Sequence, residues 1–143
     1  YSGTKAMAED CISADYVWRL RMPYDQFDSP RNYISKLIAY PKTHMATNSI
    51  TNRREFADAC LTLWQSRSKG TFNIVNGAVH TSEVIRLIEK HLKPNRSFDS
   101  VMDPKDFLTP RSDCTLSNSK LIAAGVKMTP VLESLEDCLI NWK

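Results

Sequence analysis

The chain has 143 residues, 42% hydrophobic and 24% charged, enough for the core of one ordinary globular domain and a poor fit to disorder or a solenoid array. Nineteen Lys and Arg against sixteen Asp and Glu leave a formal charge of +3 with no basic stripe, so nucleic acid is not the expected partner. No apolar run approaches the roughly 18 residues of a membrane helix, and the opening YSGTKAMAED lacks an apolar signal-peptide core, so a cytoplasmic chain without a membrane partner is expected.

Residues 1–14 contain no proline and repeat Met7, Cys11 and Ala14 at helical spacing, which predicts a helix. Residues 16–21, β-branched and aromatic, predict a strand that empties into a loop at Met22-Pro23. Ser29-Pro30 supplies an N-cap and a first-turn proline for a helix over 31–40, stopped by Pro41. Asn52 with Glu55 imitates a capping box ahead of Phe56, Ala59, Cys60, Leu63 and Trp64, predicting a helix that ends near Ser68. A second strand is expected at 71–76, ending at Asn76-Gly77, followed by a helix capped by Thr81 or Ser82 and carrying Val84, Ile85, Ile88 and Leu92. Two more helices are expected, Ser117 to Ala124 closed by Gly125 and Val131 to Trp142 opened by Thr129-Pro130. Strands alternating with helices predict an α/β layer structure with a mainly parallel sheet, although only two strands are legible, fewer than such a sheet needs.

Cys11, Cys60, Cys114 and Cys138 make no CxxC pair and His44, His80 and His91 no HxxxH, so no metal site is expected and the cysteines read as reduced thiols. The sequon at Asn95-Arg96-Ser97 reads as coincidental. Trp18, Trp64 and Trp142 read as packing residues rather than stacking platforms.

Tyr1 and Lys5 stand one helical turn apart on one face. A phenol with its ordinary pKa near 10 exchanges protons poorly at neutral pH, and a neighbouring ammonium lowers that pKa by stabilising the phenolate. Such a pair can trade a proton with a carbonyl oxygen, although the spacing also arises by chance on helix surfaces.

The run Tyr1-Ser2-Gly3-Thr4-Lys5-Ala6-Met7-Ala8-Glu9 resembles the active-site helix of the short-chain dehydrogenase/reductase superfamily. The likeness continues through Leu20-Arg21-Met22-Pro23, Arg31-Asn32-Tyr33-Ile34, Arg54-Glu55-Phe56-Ala57-Asp58-Ala59, Gly70 to Asn76 and Pro110-Arg111-Ser112-Asp113, and covers essentially the whole chain. It is similar to the carboxyl-terminal part of the extended, NAD-dependent epimerase/dehydratase type, nearest the dTDP-4-dehydrorhamnose reductases and UDP-4-keto-6-deoxyglucose 3,5-epimerase/4-reductases. The resemblance implies a partial Rossmann-like fold with a small carboxyl-terminal substrate-binding region. Residues 1–28 and 50–79 would complete the Rossmann-like part, and 29–49 and 80–143 would mainly form the substrate-binding region.

By the same resemblance Tyr1 is the proton donor to the C4 oxygen of a 4-keto-6-deoxy sugar, with NAD(P)H as cofactor and a UDP- or dTDP-linked sugar as substrate. Lys5 holds the nicotinamide ribose and depresses the Tyr1 pKa. Met22 and Pro23 lie by the nicotinamide, Asn32 by the nucleotide-sugar and Arg111 by its diphosphate. Read without the family, Met22-Pro23 ends a strand, Asn32 is a first-turn helix residue and Arg111 a loop cation. Family members often form homodimers, and no residue here marks that interface.

The glycine-rich dinucleotide turn of the family is not formed by Gly3, Gly70, Gly77 and Gly125, and four glycines are about 3% of the chain against an average near 7%. The expectation is a chain that holds Tyr1 and Lys5 without the cofactor fingerprint, with little turnover by itself. A nucleotide-sugar 4-epimerase or 4,6-dehydratase shares the same Tyr and Lys, and a non-catalytic nucleotide-sugar binding module would lack the glycine turn, so both stand as alternatives.

Overall fold

The computed structural model describes residues 2–11, 15–103, 105 and 113–143. Helix α1 (Ser2–Cys11) leads to strand β1 (Tyr16–Arg19), the short β2 (Pro23–Tyr24), helix α2 (Tyr33–Ala39) and strand β3 (Thr47–Asn52). Helix α3 (Arg53–Gln65), strands β4 (Gly70–Asn73) and β5 (Gly77–His80), and helices α4 (Thr81–His91), α5 (Ser119–Ala123) and α6 (Val131–Ile140) complete the described elements.

The strands form two small sheets. β1 pairs in parallel with β4, Tyr16 opposite Gly70 and Arg19 opposite Asn73. In the other sheet β3 is central, parallel to β2 and antiparallel to β5. The two strands expected from sequence are thus present and paired, and three more join them. β3 escapes a hydrophobic reading because Thr-Asn-Ser-Ile-Thr-Asn has one aliphatic residue, yet five of its six positions are buried. Its polar groups are satisfied inside: Thr51 Oγ1 donates to the Ile74 carbonyl at 3.0 Å, and Ser49 Oγ accepts from Leu116 N at 2.8 Å. A strand made this way costs little because each buried polar atom finds a partner.

The helix starts show where local pattern and tertiary structure part. α2 is capped by Asn32, not Ser29-Pro30, and begins two residues later than the proline suggests. Asn52 does cap α3, accepting from Arg54 N at 3.0 Å and Glu55 N at 3.2 Å. Glu55 does not complete the box. Its carboxylate accepts instead from Asn76 Nδ2 (2.9 Å), Thr129 N (2.7 Å) and Ser134 Oγ (2.7 Å), tying α3 to the start of α6. α4 is capped by His80 with Glu83 in a reciprocal box, one residue before the Thr81 expected. Gly125 ends α5 as its left-handed φ of 83° allows, its N–H donating to the Ile122 carbonyl at 2.9 Å.

Two apolar clusters result. One joins Ala59, Leu63, Phe72, Ile74, Leu121 and Val126, with Trp18 and Phe56 against it. The other, larger, gathers Tyr24, Ile34, Ile50, Val84, Ile88 and Leu135 among others, with Trp142 at its edge. Trp64 departs from the packing expectation: it is 61% exposed on the outer side of α3. Among the described residues no helix is long and apolar enough to cross a membrane.

Candidate active site

Beyond Arg19 the chain leaves the first sheet and enters the second through a corner at Met22, whose φ of 42° lies in the left-handed region that non-glycine residues rarely occupy. The corner is held by the Arg21 N–H donating to Thr51 Oγ1 at 3.1 Å and by Arg21 Nη2 donating to Asn48 Oδ1 at 2.9 Å. Pro23, which has no N–H to offer, opens β2 there. The corner sits at the carboxyl end of a parallel strand, the place where open α/β sheets take ligands.

A crevice of about 610 Å³ opens beside this corner, lined by Leu20, Pro23, Arg31, Arg53 and Phe56 with the loop at Ser29-Pro30. Arg53, the first residue of α3, pairs Nη1 with Asp25 Oδ2 at 2.7 Å. Asn32 lies behind that loop and is fully buried. Its amide nitrogen donates to the carbonyls of Asp25 (2.9 Å) and Phe27 (2.8 Å) and to Asp25 Oδ1 (3.1 Å), while Oδ1 accepts from Ile34 N at 3.0 Å. Asn32 therefore fixes the wall of the crevice and points none of its polar atoms into it.

α1 bears on the same end of β1. Glu9 and Arg19 form an ion pair, and the Arg19 guanidinium holds the Glu9 carboxyl below the usual carboxylate range. Lys5, exposed and one turn before Glu9, shares its helix face, so the side of α1 that carries Lys5 is the side tied to β1. Tyr1 and Arg111 lie outside the described residues. Two other tyrosines are poor substitutes as proton donors: burial pushes the phenols of Tyr24 and Tyr33 above their ordinary pKa, away from neutrality.

Sequence reasoning missed Arg53 and Asp25. A signal was available: Arg53-Arg54 puts two cations at the positive end of a helix dipole, a local conflict of the kind that marks functional positions.

No protein-family model matches the chain. The trifunctional UDP-glucose 4,6-dehydratase/UDP-4-keto-6-deoxy-D-glucose 3,5-epimerase/UDP-4-keto-L-rhamnose-reductase of Arabidopsis thaliana is 31% identical over 99% of this chain and 22% of its own length. The bifunctional dTDP-4-dehydrorhamnose 3,5-epimerase/dTDP-4-dehydrorhamnose reductase of the same plant is 28% identical over 94% of this chain and 48% of its own. The crystal structure of the UDP-rhamnose synthase from Acanthamoeba polyphaga mimivirus superposes with a TM-score of 0.77 at 25% identity, covering 87% of this chain and 45% of that one. The chain is thus similar in sequence to part of each of these rhamnose-type nucleotide-sugar enzymes. It matches their carboxyl-terminal part and spans from about a fifth to half of their length. The UDP-glucose 4-epimerase of Bifidobacterium longum, solved with NAD+ and UDP, shares the Rossmann-type fold at a TM-score of 0.64 and 13% identity.

Of the residues expected at the nicotinamide end of the cofactor, Lys5, Met22 and Pro23 are among those described. Lys5 offers an ammonium on the face of α1 tied to β1, and the Met22-Pro23 corner offers a backbone wall. None of the four glycines begins a helix after a strand, so a glycine-rich dinucleotide turn is absent among the described residues.

Proposed function

We propose that this chain carries the proton-transfer and sugar-binding side of an NAD(P)H-dependent reduction of a nucleotide-linked 4-keto-6-deoxy sugar. The single observation behind the reading is the Lys5 face of α1 tied through Glu9 and Arg19 to the carboxyl end of β1, beside the crevice at Met22-Pro23. The reductases named among its relatives support the choice of reaction.

When bound, the reduced nicotinamide supplies the hydride for C4 of the sugar. Tyr1 gives its phenolic proton to the C4 oxygen. Lys5 stabilises the phenolate left behind and hydrogen-bonds the ribose hydroxyls, so its charge keeps Tyr1 competent near neutral pH. Met22 and Pro23 shape the wall against the nicotinamide and exclude water. Asn32 acts on the sugar through the loop it fixes, and Arg111 pairs with the substrate diphosphate.

The test is NAD(P)H oxidation by the protein in its native form, on addition of a UDP- or dTDP-linked 4-keto-6-deoxy sugar. Tyr1→Phe should lower turnover by about 10²-fold or more with cofactor affinity retained. Lys5→Ala should weaken cofactor binding and move the activity profile to higher pH. Unchanged turnover in Tyr1→Phe would overturn the proposal.

A further inference from the structure

The proposed reaction does not use Arg31 or Arg53, the two cations that line the crevice. Among the described residues Arg53 is gripped from one side. Its partner Asp25 is mostly buried, 14% exposed, and is itself fixed because Oδ1 accepts from Phe27 N at 2.9 Å and from Asn32 Nδ2 at 3.1 Å. Oδ2 is left for Arg53, whose side chain remains 52% exposed. A guanidinium has five N–H donors, and this contact takes one. The arrangement orients the fork before any ligand arrives, which lowers the ordering cost of binding.

Arg31, exposed on the loop that Asn32 fixes, lines the same opening and brings a second cationic side chain to it. Ser29 Oγ, buried at the crevice wall, has no hydrogen-bond partner among the described residues. The Arg54 and Glu55 amides at the start of α3 are already taken by Asn52 Oδ1, so an anion here meets side chains rather than helix N–H groups. Leu20, Pro23 and Phe56 make the rest of the lining apolar. Paired guanidinium forks suit the oxygens of a diphosphate, and a ring such as Phe56 suits the organic group attached to it. The volume of about 610 Å³ falls in the range of small-molecule sites, roughly 300–1,000 Å³.

We propose that Arg31 and Arg53 form a binding site for the diphosphate of a nucleoside diphosphate, with its organic part against Phe56 and Leu20. The choice of ligand rests on the nucleotide-sugar reading above. A nucleotide-sugar and a dinucleotide cofactor both present this chemistry, so the experiment carries both.

The chain is titrated calorimetrically with UDP, inorganic diphosphate and NAD+, and Arg31→Gln, Arg53→Gln and the double variant are compared with it after their folding is checked by circular dichroism. Each single change should weaken UDP binding roughly tenfold and the pair roughly a hundredfold, as losing one charged hydrogen-bonding group per site predicts. Inorganic diphosphate should follow the same order, and Arg53→Lys should recover only part of the loss because it keeps the charge without the fork. Losses confined to UDP assign the site to the nucleotide-sugar; losses confined to NAD+ assign it to the cofactor. UDP and NAD+ binding unaltered in a folded double variant, or absent in the parent chain, would overturn the site. Arginine-dependent UDP binding alongside undiminished reduction in Tyr1→Phe would remove the proposed reaction and leave this site standing.

Discussion

Helices α1 and α4 have nearly the same length, ten and eleven residues, and are held in opposite ways. α4 begins in a His80–Glu83 capping box, ends on Lys90 and His91 as the helix dipole prefers, and buries Thr81, Val84, Ile85, Leu87 and Ile88. α1 has no acidic residue in its first turn and no basic residue in its last, and Met7 is 66% exposed. An exposed ion pair, Glu9 with Arg19, ties α1 to β1, a weak class of contact. The chemistry proposed for Lys5 therefore rides on a helix that buries little against the described residues, while the packed α4 and α6 set the frame.

The contrast is breakable by mutation. Ile88→Ala, in the fully buried face of α4, should lose about 2–5 kcal/mol, read as a lower urea midpoint at unchanged slope. Asn52→Ala removes the α3 cap together with the Asn52 amide that reaches Ser134 at 3.0 Å, and should cost about 1–2 kcal/mol by the same measurement. Glu136 on α6 accepts from Lys90 Nζ at 2.5 Å and lies 2.8 Å from His91 Nε2, and its hydrogen bonds with Lys90 and His91 hold its carboxyl below the usual 4.5. A carboxyl depressed on folding stabilises above the unfolded value and loses that contribution as pH falls through the folded one. Glu136→Gln should therefore show a shallower decline in Tm below pH 4.5 than the parent chain. Met7→Ala on α1 should change stability by less than about 0.5 kcal/mol; a loss comparable to Ile88→Ala would erase the distinction between the two helices.

Much of the architecture is legible in the residues because periodicity and caps are local. The apolar spacing of Val84, Ile85 and Ile88 and of Leu135 and Leu139 places α4 and α6, and both end in the core as that spacing requires. β3 is not legible, since its polar side chains are satisfied by Ile74, Leu116 and Arg21, partners distant in sequence. The same holds for Glu55, which the local pattern assigns to its own helix start and which the fold spends on α6. At the crevice, Met22-Pro23 was visible as a strand exit, whereas the Arg53–Asp25 pair spans 28 residues and shows in the sequence only as an ill-placed cation at a helix start. The folded structure adds to Asn32 a role that its sequence does not show, since its amide fixes the loop of Asp25 and Phe27 beside the crevice.

The most direct test of the proposed chemistry follows the hydrogen itself. NAD(P)H carrying deuterium on the transferring carbon is supplied with a UDP- or dTDP-linked 4-keto-6-deoxy sugar and the protein in its native form, and the product is analysed by NMR. Deuterium should appear at C4 with stoichiometric cofactor oxidation, and Tyr1→Phe should slow its appearance by about 10²-fold or more. A product without deuterium at C4, or one formed equally fast by Tyr1→Phe, would contradict the account.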